Sequence, residues 1–126
     1  MKGLVLDTGA LIALERGEQR MTALLDRALA LSGAVIHIPA GVVAQVFRDG
    51  TRQVYLRRLM KKPQAKVVAF DEQTAYVVGM LLGLRGTNDV VDASVIVCAR
   101  RFGQAVVTGD PDDLRRLDAS VKLHTI

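Results

Sequence analysis

The chain has 126 residues and a net charge of +4, with half its residues apolar and only 4% aromatic. That length suits one compact domain over residues 1–126 with a real core, and no apolar run approaches the ~18 residues of a membrane span. The single cysteine, Cys98, excludes an intramolecular disulfide framework and suits a reducing cytosol; with His37 and His124 far apart, a zinc site lacks ligands.

The first expected element is a strand at Gly3–Leu6, which follows one lysine, ends at Asp7, and reads as structure rather than as a signal peptide. Asp7 then opens a helix over Thr8–Glu15, either as its N-cap or as a metal ligand at a sheet edge. A helical pattern over Gln19–Leu31 precedes a strand at Ala34–Ile38. Pro39 stands at the favoured first position of a helix over Pro39–Phe47. Helical phase gives that helix an apolar face of Val42, Val43, Val46 and Phe47, with Gln45 opposite, beside Gly41, Arg48 and Arg52.

From Arg48 to Lys66 the cations Arg48, Arg52, Arg57, Arg58, Lys61, Lys62 and Lys66 face Asp49 alone, partly on a helix over Thr51–Lys61. Such a segment is either a solvated face or a surface for a polyanion. Tyr55 is its one aromatic residue, so base stacking has little to work with. A strand at Lys66–Phe70 leads to a helix over Glu72–Leu84, capped by Asp71 and apolar enough to offer a contact face.

Thr87-Asn88-Asp89-Val90-Val91-Asp92 comes next, ahead of a nearly all-apolar helix over Val90–Phe102 that Gly103 ends. Asp89 and Asp92 share a helical face, and both are explicable as capping or dipole-complementing residues. A carboxylate leading a buried helix is costly, however, which favours a ligand role for Asp92. Cys98, on the same helix, reads as a small core residue. A strand at Ala105–Thr108 runs through Gly109 into Asp110, where a helix over Asp112–Leu117 starts. Asp110 is the expected N-cap, with Pro111 in the first turn and Asp113 reaching back. A strand at Val121–His124 closes the chain.

Strands alternating with helices predict an α/β fold, a three-layer α/β/α sandwich around a mostly parallel sheet. Ligands of such sheets bind at the carboxyl ends of the strands, where Asp7 and Asp110 emerge and where a helix from Asp92 could add a third acid. Grouped carboxylates repel unless protons or cations sit among them, so the arrangement asks for a divalent metal. Thr108 adds a hydroxyl beside Asp110, and Gly109 a close backbone approach.

Taken in order, Leu4-Val5-Leu6-Asp7-Thr8, Ile38-Pro39 opening a helix, Asp92-Ala93 with its long apolar helix, and Val107-Thr108-Gly109-Asp110-Pro111-Asp112-Asp113-Leu114 resemble the PIN-domain family. The likeness is strongest to the VapC-type toxins of bacterial toxin–antitoxin pairs, and it spans essentially the whole chain. The resemblance implies a cytoplasmic Mg²⁺- or Mn²⁺-dependent ribonuclease, a small antitoxin partner and a homodimer. It assigns the metal and the catalysis to Asp7, Asp92 and Asp110, with Asp89 and Asp113 as neighbouring acids and Thr108 in support. Arg48 and Arg52 would then meet RNA phosphates. The departure is Gln45, which stands where the family carries a glutamate. An amide can offer its carbonyl oxygen but no charge, so metal affinity should fall unless Asp89 compensates.

Two other functions compete. A non-catalytic PIN-like module that binds RNA or protein would explain Gln45. A phosphotransfer domain fits poorly, because Asp7-Thr8-Gly9 lacks a second aspartate two residues on and no lysine closely follows Ala105–Thr108.

Overall fold

A computed structural model describes residues 3–47 and 53–126. In chain order the elements are β1 (Gly3–Leu6), α1 (Thr8–Glu15), α2 (Gln19–Ala30), β2 (Val35–Pro39), α3 (Ala40–Val46) and α4 (Val54–Met60). There follow β3 (Ala65–Val68), α5 (Glu72–Arg85), α6 (Val90–Phe102), β4 (Ala105–Thr108), α7 (Pro111–Leu117) and β5 (Leu123–Thr125). Every expected element is present, with ends shifted by a few residues where strands meet helices. The start of the predicted Thr51–Lys61 helix lies outside the described residues, and α4 is seen from Val54.

The five strands form one sheet in the order β3-β2-β1-β4-β5, and every pair is parallel. Right-handed crossovers therefore send α1–α4 to one face and α5–α7 to the other. The packing agrees: α6 lies across β2, β1 and β4 and contacts α5 and α7, while α1 packs on α2, α3 and α4. Covered on both faces, the central strands read as apolar runs. Val5, Leu6, Ile36, Ile38, Val106 and Val107 are all fully buried. Gly3 permits the tight start of β1, since a Cβ there would lie 1.9 Å from the Val35 carbonyl oxygen and its φ is +121°.

Local chemistry sets several boundaries. The Asp71 carboxylate caps α5 by accepting from the Thr74 N–H at 2.9 Å, and left-handed Gly86 and Gly103 end α5 and α6. Pro39 differs from its expected place: it closes β2 and occupies the N-cap of α3, with φ −59° and ψ 141°. Its ψ is extended because its carbonyl still belongs to the sheet edge, so the helix begins one residue later.

The chain leaves β1 towards β2 on one face and leaves β4 towards β5 on the other. Between the carboxyl ends of β1 and β4, then, lies the crevice where such sheets receive ligands. No helix among the described residues is long and apolar enough to cross a membrane.

Candidate active site

Asp7 and Asp110 flank that crevice. Asp7 is 7% exposed, and its Oδ1 accepts from the Ala10 N–H at 2.8 Å, so it does cap α1. Its N–H donates to the Val107 carbonyl at 3.2 Å, tying the end of β1 to β4. The buried Thr108 hydroxyl links the two acids: it hydrogen-bonds the Asp7 carboxylate and accepts from the Asp110 N–H at 2.9 Å. Gly9 allows this approach, since a Cβ there would sit 3.3 Å from the Gly109 nitrogen. Burial raises the Asp7 pKa above its ordinary value; the Thr108 and Ala10 donors oppose the rise, and the Asp110 charge adds to it.

Asp110 holds the N-cap position of α7, but its side chain makes no capping bond. The carboxylate turns instead to Asp113, with which it shares a hydrogen bond that raises the Asp113 pKa. The predicted reach-back of Asp113 is thus a carboxyl–carboxyl contact, and Asp110 is exposed. Asp113 also meets Arg116 at 3.0 Å.

The second acidic pair opens α6. Asp89 is the N-cap, its Oδ1 accepting from the Asp92 N–H at 2.9 Å. Asp92 is half-buried, and its pKa is pushed up to about 7, first by burial and then by the charges of Asp89, Asp113 and Asp7. The predicted cost of an acid leading this helix is therefore met by a proton near neutral pH. Asp89, Asp92 and Asp113 line a cleft of about 430 Å³ together with Asn88, Arg85 and Arg116. The two arginines carried no distinguishing sequence signal. Arg116 reads as an ordinary i,i+3 partner of Asp113, and Arg85 as a helix-end cation.

Gln45 lies beside the first pair. Val42 and Val46 are buried on one side of α3, and the exposed Gln45 carbonyl oxygen accepts from the Thr8 hydroxyl at 2.6 Å, one residue from Asp7. The amide thus faces the crevice side of α1, as its helical phase predicted. Arg48 and Arg52, the expected phosphate contacts, lie outside the described residues. Cys98 is buried with its thiol pushed up to about 12, a core residue and no nucleophile.

Among the described residues, no three acid, histidine or cysteine groups already converge closely enough to hold a metal ion. The five acids stand instead as two groups within electrostatic reach of one another, Asp89 with Asp92, and Asp113 with Asp110, which Thr108 links to Asp7. The donor set is nonetheless all oxygen and strongly negative, which suits a hard divalent cation, and burial, with the neighbouring acids adding to it, raises the Asp92 pKa.

Comparison with known proteins gives one family model, PIN domain, which matches residues 4–120. No curated protein was found to match the sequence. Among solved structures the chain resembles VapBC2 of Rickettsia felis bound to a promoter DNA fragment, at 15% identity and a TM-score of 0.71, covering 98% of both chains. It also resembles a toxin–antitoxin complex from Klebsiella pneumoniae, at 16% identity and a TM-score of 0.70, covering 97% of this chain and 96% of that one. A third is VapC20 of Mycobacterium tuberculosis, a sarcin–ricin loop cleaving toxin, at 15% identity and a TM-score of 0.61, covering 94% and 95%.

Proposed function

The chain belongs to the PIN-domain family, and we propose that it is a Mg²⁺- or Mn²⁺-dependent endoribonuclease, the toxin of a toxin–antitoxin pair. The observation that carries this reading is the Thr108 hydroxyl joining Asp7 and Asp110 at the crevice between β1 and β4, with the Asp92 wall beside it. A divalent cation held by these acids supplies the positive charge that a phosphodiester needs as it is cleaved, and acidifies the attacking water.

The chain's own residues do the positioning. Asp7 is fixed by the Ala10 N–H and by Thr108, so its carboxylate cannot swing away. Asp110 has no capping duty, and its carboxylate is steadied by Asp113. Burial and the neighbouring acids favour the protonated form of Asp92, and a bound cation would favour its carboxylate. Gln45 and Thr8 close the side of the site with a neutral amide and a hydroxyl.

RNA as substrate is supported by the sarcin–ricin loop cleavage named for the M. tuberculosis structure, and an antitoxin partner by the K. pneumoniae complex. We assign a homodimer contact to α5, where Tyr76, Met80 and Leu84 form a stripe at helical spacing, exposed by 66%, 70% and 79%. A cytoplasmic location goes with this reading. The test is RNA cleavage that requires Mg²⁺ or Mn²⁺, stops with chelator, and is lost in Asp7→Ala and Asp92→Asn. A wild-type protein that cleaves no RNA with either metal refutes it.

One observation favours a second reading, a non-catalytic module that binds RNA or protein: the fourth acid is an amide already bonded to Thr8. RNA binding without any divalent-ion binding in calorimetry would decide for it.

A further inference from the structure

The acidic cleft has a basic wall. Arg85 stands at the end of α5 and Arg116 in the last turn of α7, and both line the same cleft as Asp89, Asp92 and Asp113. Each is held in a different way. The Arg85 Nε donates to the Leu117 carbonyl at 3.1 Å, which fixes the guanidinium plane and leaves both of its Nη groups for another acceptor. Arg116 spends Nη1 on Asp113 at 3.0 Å and is 77% exposed, so its remaining donors are open to solvent.

Asp113 shares the cleft with both arginines and already pairs with Arg116. The cleft therefore holds both charges, with acids from the first turns of α6 and α7 and arginines from the last turns of α5 and α7. A purely acidic cleft would repel a polyanion; this one also holds two guanidinium groups with donors to spare. Guanidinium groups match the paired non-bridging oxygens of a phosphodiester, and such charge-assisted bonds fix register along a nucleic-acid backbone.

We propose that Arg85 and Arg116 form a phosphate subsite for the RNA backbone, in the cleft they share with Asp89 and Asp92. The proposal rests on the nuclease reading for its substrate, but it concerns binding and can fail separately. Arg115 supplies the internal control. It has the same charge on the same helix, but it pairs with Asp112 at 3.8 Å and does not line the cleft.

The experiment measures the affinity of a fluorescent single-stranded RNA oligonucleotide for the full chain in EDTA, by anisotropy over a series of salt concentrations. Arg85→Gln and Arg116→Gln should each weaken binding by about tenfold and flatten the salt dependence by about 0.7 in slope, while Arg115→Gln should change both much less. Thermal melting checks that each variant folds. Arg116 makes only an exposed side-chain pair, so its variant keeps the test valid even where loss of the Leu117 contact unfolds Arg85→Gln. Equal effects from all three variants, no effect from the cleft pair, or a wild-type chain that binds no RNA in EDTA would each overturn the subsite. Metal-dependent cleavage by that same wild-type chain would leave the nuclease reading standing.

Discussion

Asp92→Asn should stabilise the metal-free protein while abolishing its cleavage of RNA. Its carboxyl has a folded-state pKa of about 7 against an ordinary value of 3.8. Between those values the folded chain binds more protons than the unfolded one, so stability falls as pH rises. The favourable contribution is complete below the lower value and lost on passing the upper one. At about 1.4 kcal/mol per pKa unit the interval sets a ceiling of about 4 kcal/mol. Solvent screens a half-buried side chain, and about 1–2 kcal/mol is the expected gain on neutralising it. In a chain of this size that is a rise in melting temperature of roughly 3–8 °C.

The assay is thermal or denaturant unfolding in EDTA at about pH 5 and about pH 8, on wild type and variant. Wild type should lose stability between the two pH values, and Asp92→Asn should lose less. Adding Mg²⁺ or Mn²⁺ at about pH 8 should restore the wild type through linkage, by about 2.7 kcal/mol at a hundredfold excess over Kd, and help the variant less. Equal or lower stability of Asp92→Asn in EDTA at the higher pH would refute the electrostatic reasoning. So would a wild type whose stability does not change across the window.

Gln45→Glu should raise divalent-ion affinity by about tenfold, because it adds a charge beside Asp7 while keeping an acceptor for the Thr8 hydroxyl; calorimetry reads the change. Thr108→Val should cost about 1–3 kcal/mol in denaturant unfolding, since it strips the Asp110 N–H and the Asp7 carboxylate of a buried partner at once. Met80→Glu should lower the apparent mass in analytical ultracentrifugation to that of a monomer, and an unchanged mass would remove α5 as the dimer contact. Cys98 should resist alkylation in the folded protein and react fully once denatured, as counted by mass spectrometry.

The fold was largely legible because its signals are local. Val5, Leu6, Val106 and Val107 announce buried parallel strands, while Asp71, Gly86 and Gly103 mark helix ends with chemistry that depends on a few neighbouring residues. The acids were legible as candidates for the same reason, but their roles were not, because capping and site geometry use the same residue type. Asp7 and Asp89 do both: each spends one oxygen on a helix N–H and stands in an acidic group. Asp110 separates the roles. Its sequence context, with Pro111 and Asp113, describes a cap as well as that of Asp89 does, yet it makes no capping bond. The difference arises from Asp113 three residues on, which takes up the Asp110 side chain, while the Thr108 hydroxyl two residues back holds its N–H; of these contacts only the further bond from Thr108 to Asp7 needs β1 and β4 paired. Arg85 and Arg116 were illegible for a related reason. They come from helices more than two dozen residues apart in the chain, and only the closure of α5 and α7 around α6 brings them to one cleft. A helix cap needs one partner within its own turn; a cation site needs several, supplied by different elements. Asp110 leaves its cap unmade and turns to Asp113, so capping does not account for its carboxylate as it does for those of Asp7 and Asp89.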